Sequence, residues 1–184
     1  MVYYEMKWKT HSIFAMGLTA LCFSFILKDI YLILFIPYLI MANFLAIFPD
    51  ILEQKILGEH KRSYLTHHPV TLIIFIPFLL FPITVVRYIF LVVFLSWSSH
   101  ILLDAFTVGG VPLTQHFKLR LTKRYYNDPV LNIIFSFFGI LMFVSSFFVF
   151  FVKYKYLFQV ILIHITEKVK FFKNLIISSM YKSP

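Results

Sequence analysis

The chain is poor in acid, glycine and cysteine. Of its 184 residues, 8 are Asp or Glu, 5 are Gly and 1 is Cys. Lone Cys22 excludes an intramolecular disulfide framework and a Cys-based zinc site. Any metal would then be held by nitrogen and oxygen donors, drawn from 7 His and the few carboxylates. Charged residues of either sign make up 14% of the chain, well below the roughly 25% of soluble domains. What fills the space instead is apolar: 60% of residues are hydrophobic, with 24 Phe and 11 Tyr. A soluble globule of this length has too little interior to hide that surface. A soluble enzyme and a disordered chain are therefore both excluded. The composition predicts an all-α, multi-pass integral membrane helical bundle.

Three apolar runs carry that expectation. The first, Ser12 to Phe48, is broken only by Lys28 and Asp29. The second, Val70 to Phe106, is broken by Arg87 near its middle and by Asp104, with Pro77 and Pro82 in its first arm. The third, Val130 to Val152, holds no charge. A helix needs about 20 residues to cross about 30 Å of hydrocarbon. The runs thus read as about five spans, at 12–27, 30–48, 70–86, 88–106 and 130–152. The membrane-embedded domain covers 1–152, and a basic amphipathic tail covers 153–184. In the tail, Lys168-Val-Lys-Phe-Phe-Lys173 alternates apolar and basic residues, as in a helix lying on anionic lipid. A solvated tail with incidental aromatics is the plainer alternative.

Five spans place the N-terminus and the loops 49–69 and 107–129 on one face. That face carries Lys7, Lys9, Lys55, Lys61, Arg62, Lys118, Arg120, Lys123 and Arg124, against Lys28 and Arg87 in the opposite turns. The positive-inside rule makes it the cytoplasmic face of a cell membrane. The lysines of the tail fall on the other side and oppose that orientation. The net charge of +9 reads as loop and tail charge beside lipid headgroups, so membrane lipid is the expected partner and nucleic acid is not.

The scarce polar residues converge on that same face. His11 stands at the entrance of the first span, and Pro49-Asp50 closes the second. His67 ends the following loop, which also carries Glu53, His60, Arg62 and His68. His100 and Asp104, four apart, share one helical face near the end of the fourth span. Ionisable groups within spans are costly and mark functional sites. Imidazole and carboxylate donors suit Zn, Mn or Fe. Structural readings stand beside this one. His100 and Asp104 can simply bond each other, Asp50 can cap the next helix, and Arg62 can be a solvated loop residue. Gly109-Gly110 and Pro112 end the fourth span and turn the chain.

These pieces, in order, resemble a known family. They are Lys9-Thr10-His11, Phe48-Pro49-Asp50, Arg62-Ser-Tyr-Leu-Thr66-His67, Ser99-His100-Ile-Leu-Leu-Asp104, Thr107-Val-Gly109-Gly110-Val-Pro112 and Asn127-Asp-Pro-Val-Leu-Asn132. The chain resembles the membrane-bound metal-dependent hydrolases related to the LexA-binding inner-membrane protein, which include archaeal relatives of unknown function. The resemblance spans roughly residues 6–145. It implies a divalent metal held by His11, Asp50, His67, His100 and Asp104. Leu52 stands where a second Asp often follows Pro-Asp, with Glu53 next to it.

The expected function is metal-dependent hydrolysis of a phosphoester or lipid-linked substrate at the membrane interface. Asp50 and Asp104 would be catalytic, with Arg62 steadying the anion. His60, Asn127 and Asp128 would orient the ligands from behind. The alternative is a non-catalytic membrane adaptor that recruits a partner through its basic loops.

Overall fold

A computed structural model describes residues 7–27, 29–57, 63–114, 117–125 and 128–180. Arg62, His60 and Asn127, expected at the site, lie outside the described residues. The described chain is helical but for one two-stranded ladder. Its helices are α1 (Trp8–Ile26), α2 (Phe35–Leu45), α3 (Phe48–Leu57), α4 (Tyr64–His67), α5 (Ile76–Leu79), α6 (Thr84–Ala105) and α7 (Pro129–Met180). Short 3-10 segments, Asp29–Leu34 and Pro69–Phe75, lead into α2 and α5. The strands β1 (Val111–Pro112) and β2 (Lys118–Leu119) pair antiparallel, Val111 opposite Leu119.

Three helices are long and apolar enough to cross a membrane: Trp8–Ile26, Thr84–Ala105 and Pro129–Lys155. A fourth crossing is available if Tyr31–Leu45 and Phe48–Lys55, bent by 43° at Ala46–Ile47, count as one broken span. The expected fifth, 70–86, takes a different form. Its described helices, Pro69–Phe75 and Ile76–Leu79, are short. Pro69 opens the 3-10 segment, Pro77 sits at the start of α5, and Pro82 stands in the bend before α6, each fixing φ and removing a backbone donor. The break therefore falls at 80–83 rather than at Arg87. Arg87 lies in the first turn of α6, where its Nε donates to the Phe81 carbonyl at 3.2 Å. Pro49 and Asp50 likewise open α3 instead of closing the preceding helix.

The chain forms two units, Met1–Ser146 and Phe147–Pro184. In the first, α1, α2 and α6 pack together around small side chains; Ala15, Ala20, Ala42 and Ala46 are fully buried. Many large apolar side chains point outward instead. Ile33 is 83% exposed, Phe44 63% and Ile133 67%. Apolar outside and polar inside is the arrangement a hydrocarbon solvent selects, because lipid tails drive no apolar collapse. In the second unit α7 continues; Phe150 stacks on Tyr154 at 5.8 Å, and Lys153 Nζ lies 5.2 Å from the Tyr154 ring.

The start of α7 is capped locally and then tied to α1. Asp128 Oδ1 accepts from the Val130 and Leu131 amides at 2.9 and 3.1 Å, capping α7, while Oδ2 pairs with Arg124 at 2.8 Å. Asn132 Oδ1 then accepts a 2.7 Å bond from Thr10 Oγ1 on α1. Further along, the two backbones nearly touch. A Cβ on Gly139 would lie 2.7 Å from the Ile13 carbonyl oxygen, and one on Gly17 would overlap Gly139 itself. Small residues permit such crossings between apolar helices. Gly17→Val should therefore destabilise the fold by about 1–3 kcal/mol, the usual cost of overpacking, and lower the thermal midpoint in detergent. An unchanged midpoint would rule out this close crossing.

Candidate metal centre

Four side chains from three helices meet in the first unit. Asp50 comes from the first turn of α3, His67 from the end of α4, and His100 and Asp104 from the last turns of α6. All four are fully buried. Each offers one ligand atom, and those atoms lie within 4.8 Å of one another. His67 Nε2 stands 3.1 Å from His100 Nε2, 3.2 Å from Asp50 Oδ1 and 3.4 Å from Asp104 Oδ2. His100 Nε2 stands 3.2 Å from Asp50 Oδ1 and 3.5 Å from Asp104 Oδ2. An ion with bonds of about 2.0–2.1 Å in a tetrahedron would set its ligands about 3.3 Å apart, in the middle of these separations.

The tautomers make the fit chemical as well as geometric. His100 Nδ1 lies 2.7 Å from the Ala46 carbonyl, which only accepts, so Nδ1 carries the proton. Thr66 Oγ1 donates to Glu53 Oε1 at 3.2 Å and accepts from His67 Nδ1 at 2.8 Å. Each neutral imidazole thus turns the Nε2 lone pair inward. Two nitrogen and two carboxylate acceptors face one point with no donor among them, an arrangement that a cation stabilises. Asp50 Oδ2 is also buried without a hydrogen-bond partner.

Supports behind the ligands are equally defined. Glu53, three residues after Asp50 on α3, accepts from the Ser63 amide as well as from Thr66. Trp97 Nε1 donates to the Thr66 carbonyl at 2.8 Å, fixing α4 against α6. Trp97 itself packs with Ile101, Ala105 and Val111. His68 bonds the Leu113 carbonyl through Nε2 at 3.1 Å, which ties the turn at 107–114 to α4. That turn needs Gly110, whose φ is +62° and whose Cβ position lies 2.7 Å from the Leu119 carbonyl oxygen.

The remaining expected residues fall in different places. His11, in the first turn of α1, stacks on His100 with ring centroids 4.3 Å apart, and its Nε2 lies 3.6 Å from Asp104 Oδ1. It borders the four-residue group through the outer oxygen of Asp104. Asp128 caps α7 and does not join the ligands. Thr66, Trp97 and the Ala46 carbonyl were not foreseen as supports. The i, i+3 spacing of Asp50 and Glu53 was the one available signal for the Glu53 relay.

No family model, curated protein or solved structure matches the chain. The class is therefore defined by its own features: an all-α protein with three helices suited to a membrane and a buried His/Asp group able to hold a metal ion.

Burial disfavours protonated His67, yet its bonds to Asp104 and Asp50 prevail and push its pKa up to about 9. A proton is thus the metal's competitor. The raised value stabilises the metal-free fold fully below the ordinary pKa of 6.5, and that stabilisation is lost as pH rises through about 9. With metal the sign reverses, because acid protonates the ligands. Thermal midpoints from pH 5 to 10 should fall at the alkaline end after chelation and at the acid end with zinc. Purified protein should carry about one divalent ion per site by elemental analysis, and the His100→Ala, Asp104→Ala double variant should carry none. Equal metal content in both proteins would dismiss the centre.

Proposed function

We propose that the protein is a membrane-embedded, metal-dependent hydrolase acting on a phosphoester or lipid-linked substrate at the membrane interface. The observation that supports it is the set of four inward-facing acceptor atoms spaced about one tetrahedral edge apart. Zn, Mn or Fe suits this donor set. Such an ion supplies a Lewis acid that polarises an ester oxygen and lowers the pKa of water.

The chain's own residues do the rest. The Ala46 carbonyl fixes the His100 ring, and the Glu53–Thr66 relay fixes His67. Asp50 and Asp104 counter the cation's charge, and Oδ2 of Asp50 retains acceptor capacity for a proton. His11 borders the group through Asp104. We place Arg62 as the residue that would steady an anionic substrate, since its guanidinium favours bidentate phosphate contacts. The positions at helix ends suit a site near the water boundary of a cell membrane, with the basic loops on the cytoplasmic side.

Complete burial of all four ligands favours a second reading, a structural metal site, since catalytic sites keep an open position. Activity separates the two. The metal-loaded protein in mixed micelles should hydrolyse a chromogenic phosphodiester or a short-chain phospholipid, and chelation should abolish turnover. Glu53→Gln should lower metal affinity or activity about 10–100-fold, the usual effect of losing a ligand's support. Metal retention without hydrolysis of either substrate would leave the structural site. For the topology, cysteines introduced at Lys55 and Lys123 in a Cys22→Ser background should react with impermeant thiol reagents from the same side.

A further inference from the structure

Beneath the metal centre, α1 and α6 share a seam whose register two ring contacts define. His11 meets His100 at 4.3 Å, and Phe23 meets Tyr88 at 5.5 Å. Twelve residues separate the partners on each helix, and the numbering rises on α1 while it falls on α6. The helices are therefore antiparallel and in step over three turns. Residues four apart share a face, so Ala15 falls level with Ser96 and Thr19 level with Val92. These four are fully buried. On α2 the same spacing runs from Ala46, bonded by His100, through Ala42 to Tyr38, whose ring lies 5.0 Å from Phe23. Between the two ring contacts, the levels Ala15–Ser96–Ala42 and Thr19–Val92 hold small side chains rather than Leu or Phe.

This interior carries hydroxyls that the protein does not satisfy. Thr19 Oγ1 and Ser96 Oγ are buried with no hydrogen-bond partner, as is Tyr38 Oη at the far end. Asp50 Oδ2 is in the same condition at the near end. A buried hydroxyl without a partner costs about 1–3 kcal/mol, and native interiors rarely leave several in one place. Helical mid-chain Thr and Ser usually bond the carbonyl one turn back, and neither does so here. With a rise of about 1.5 Å per residue, Ser96 lies about 6 Å below His100 and Thr19 about 12 Å below His11. The two residues' levels are then offset by about 6 Å along the seam, an axial step comparable to two hydrogen bonds of about 2.8 Å through one water.

We infer that ordered water is bound in this seam by Thr19 and Ser96, forming an internal water site that runs from below the metal centre to the middle of the bundle. Water supplies both donors and acceptors, so it satisfies each hydroxyl without a charge. Ala15 and Ala42, at the level of Ser96, are small and fully buried. The site does not depend on the centre being catalytic, nor on its holding a metal.

Radiolytic footprinting of the full-length protein in detergent tests it, because hydroxyl radicals generated from bound water oxidise the side chains beside it. Phe23 is fully buried and lies one turn from Thr19, so bulk radicals do not reach it. Wild-type Phe23 should be oxidised, and after millisecond mixing into 18O-water its product should retain 16O from slowly exchanging internal water. In the Thr19→Val, Ser96→Ala double variant, Phe23 oxidation should fall at least threefold while exposed Phe44 and Phe148 are unaffected. Absence of Phe23 oxidation in wild type, immediate 18O incorporation, or equal oxidation in the variant would each overturn the proposal. If the double variant fails to fold, the isotope measurement on wild-type protein decides the matter alone.

Discussion

The first unit is organised around the cost of holding two carboxylates and two imidazoles at one buried point. Separately, each buried carboxylate is expensive to desolvate. Together, the four need a positive charge among them, and the surrounding bonds are organised so that it can be shared. The Ala46 carbonyl and the Thr66 hydroxyl accept hydrogen bonds from the outer imidazole N–H groups, which turns the Nε2 atoms toward the centre. The positions of α3, α4 and α6 follow from that requirement. The bend at Ala46–Ile47 brings Asp50 inward, Trp97 holds α4, and the last two turns of α6 deliver His100 and Asp104.

Lipid solvent explains how such a polar interior coexists with so apolar a chain. Outward surfaces take many of the Phe and Ile, while Ala, Ser and Thr are prominent among the buried residues. Close approach replaces hydrophobic collapse as the source of packing, as at Gly17 and Gly139, where backbone meets backbone. The hydrogen bond from Thr10 to Asn132 adds a polar lock beside it.

Much of this was legible before the fold was known. The long apolar runs announced α1, α6 and the start of α7. The i, i+4 pair His100 and Asp104 announced a shared face, and Asp50 and His67 were singled out with them. The break in the second run was misplaced at Arg87, since charge is a weaker helix breaker than Pro82, and an Arg at a helix's first turn reaches back to free carbonyls such as Phe81's. Asp128, expected to orient ligands, serves its own helix instead, as Asp before a helical segment commonly does.

The sequence by itself determined the apolar, helical class and the donor types open to any metal. Composition and periodicity record local and solvent preferences residue by residue, and a chain with one Cys and 7 His restricts any metal's donors to nitrogen and oxygen. Only the tertiary structure decided which donors meet. The Nε2 atoms of His67 and His100 are 3.1 Å apart although the residues are 33 positions distant, and His11 stops one carboxylate oxygen short of them. Distances of this kind depend on bends, caps and crossings between helices, and these arise from packing among residues remote in the chain, which no local pattern encodes.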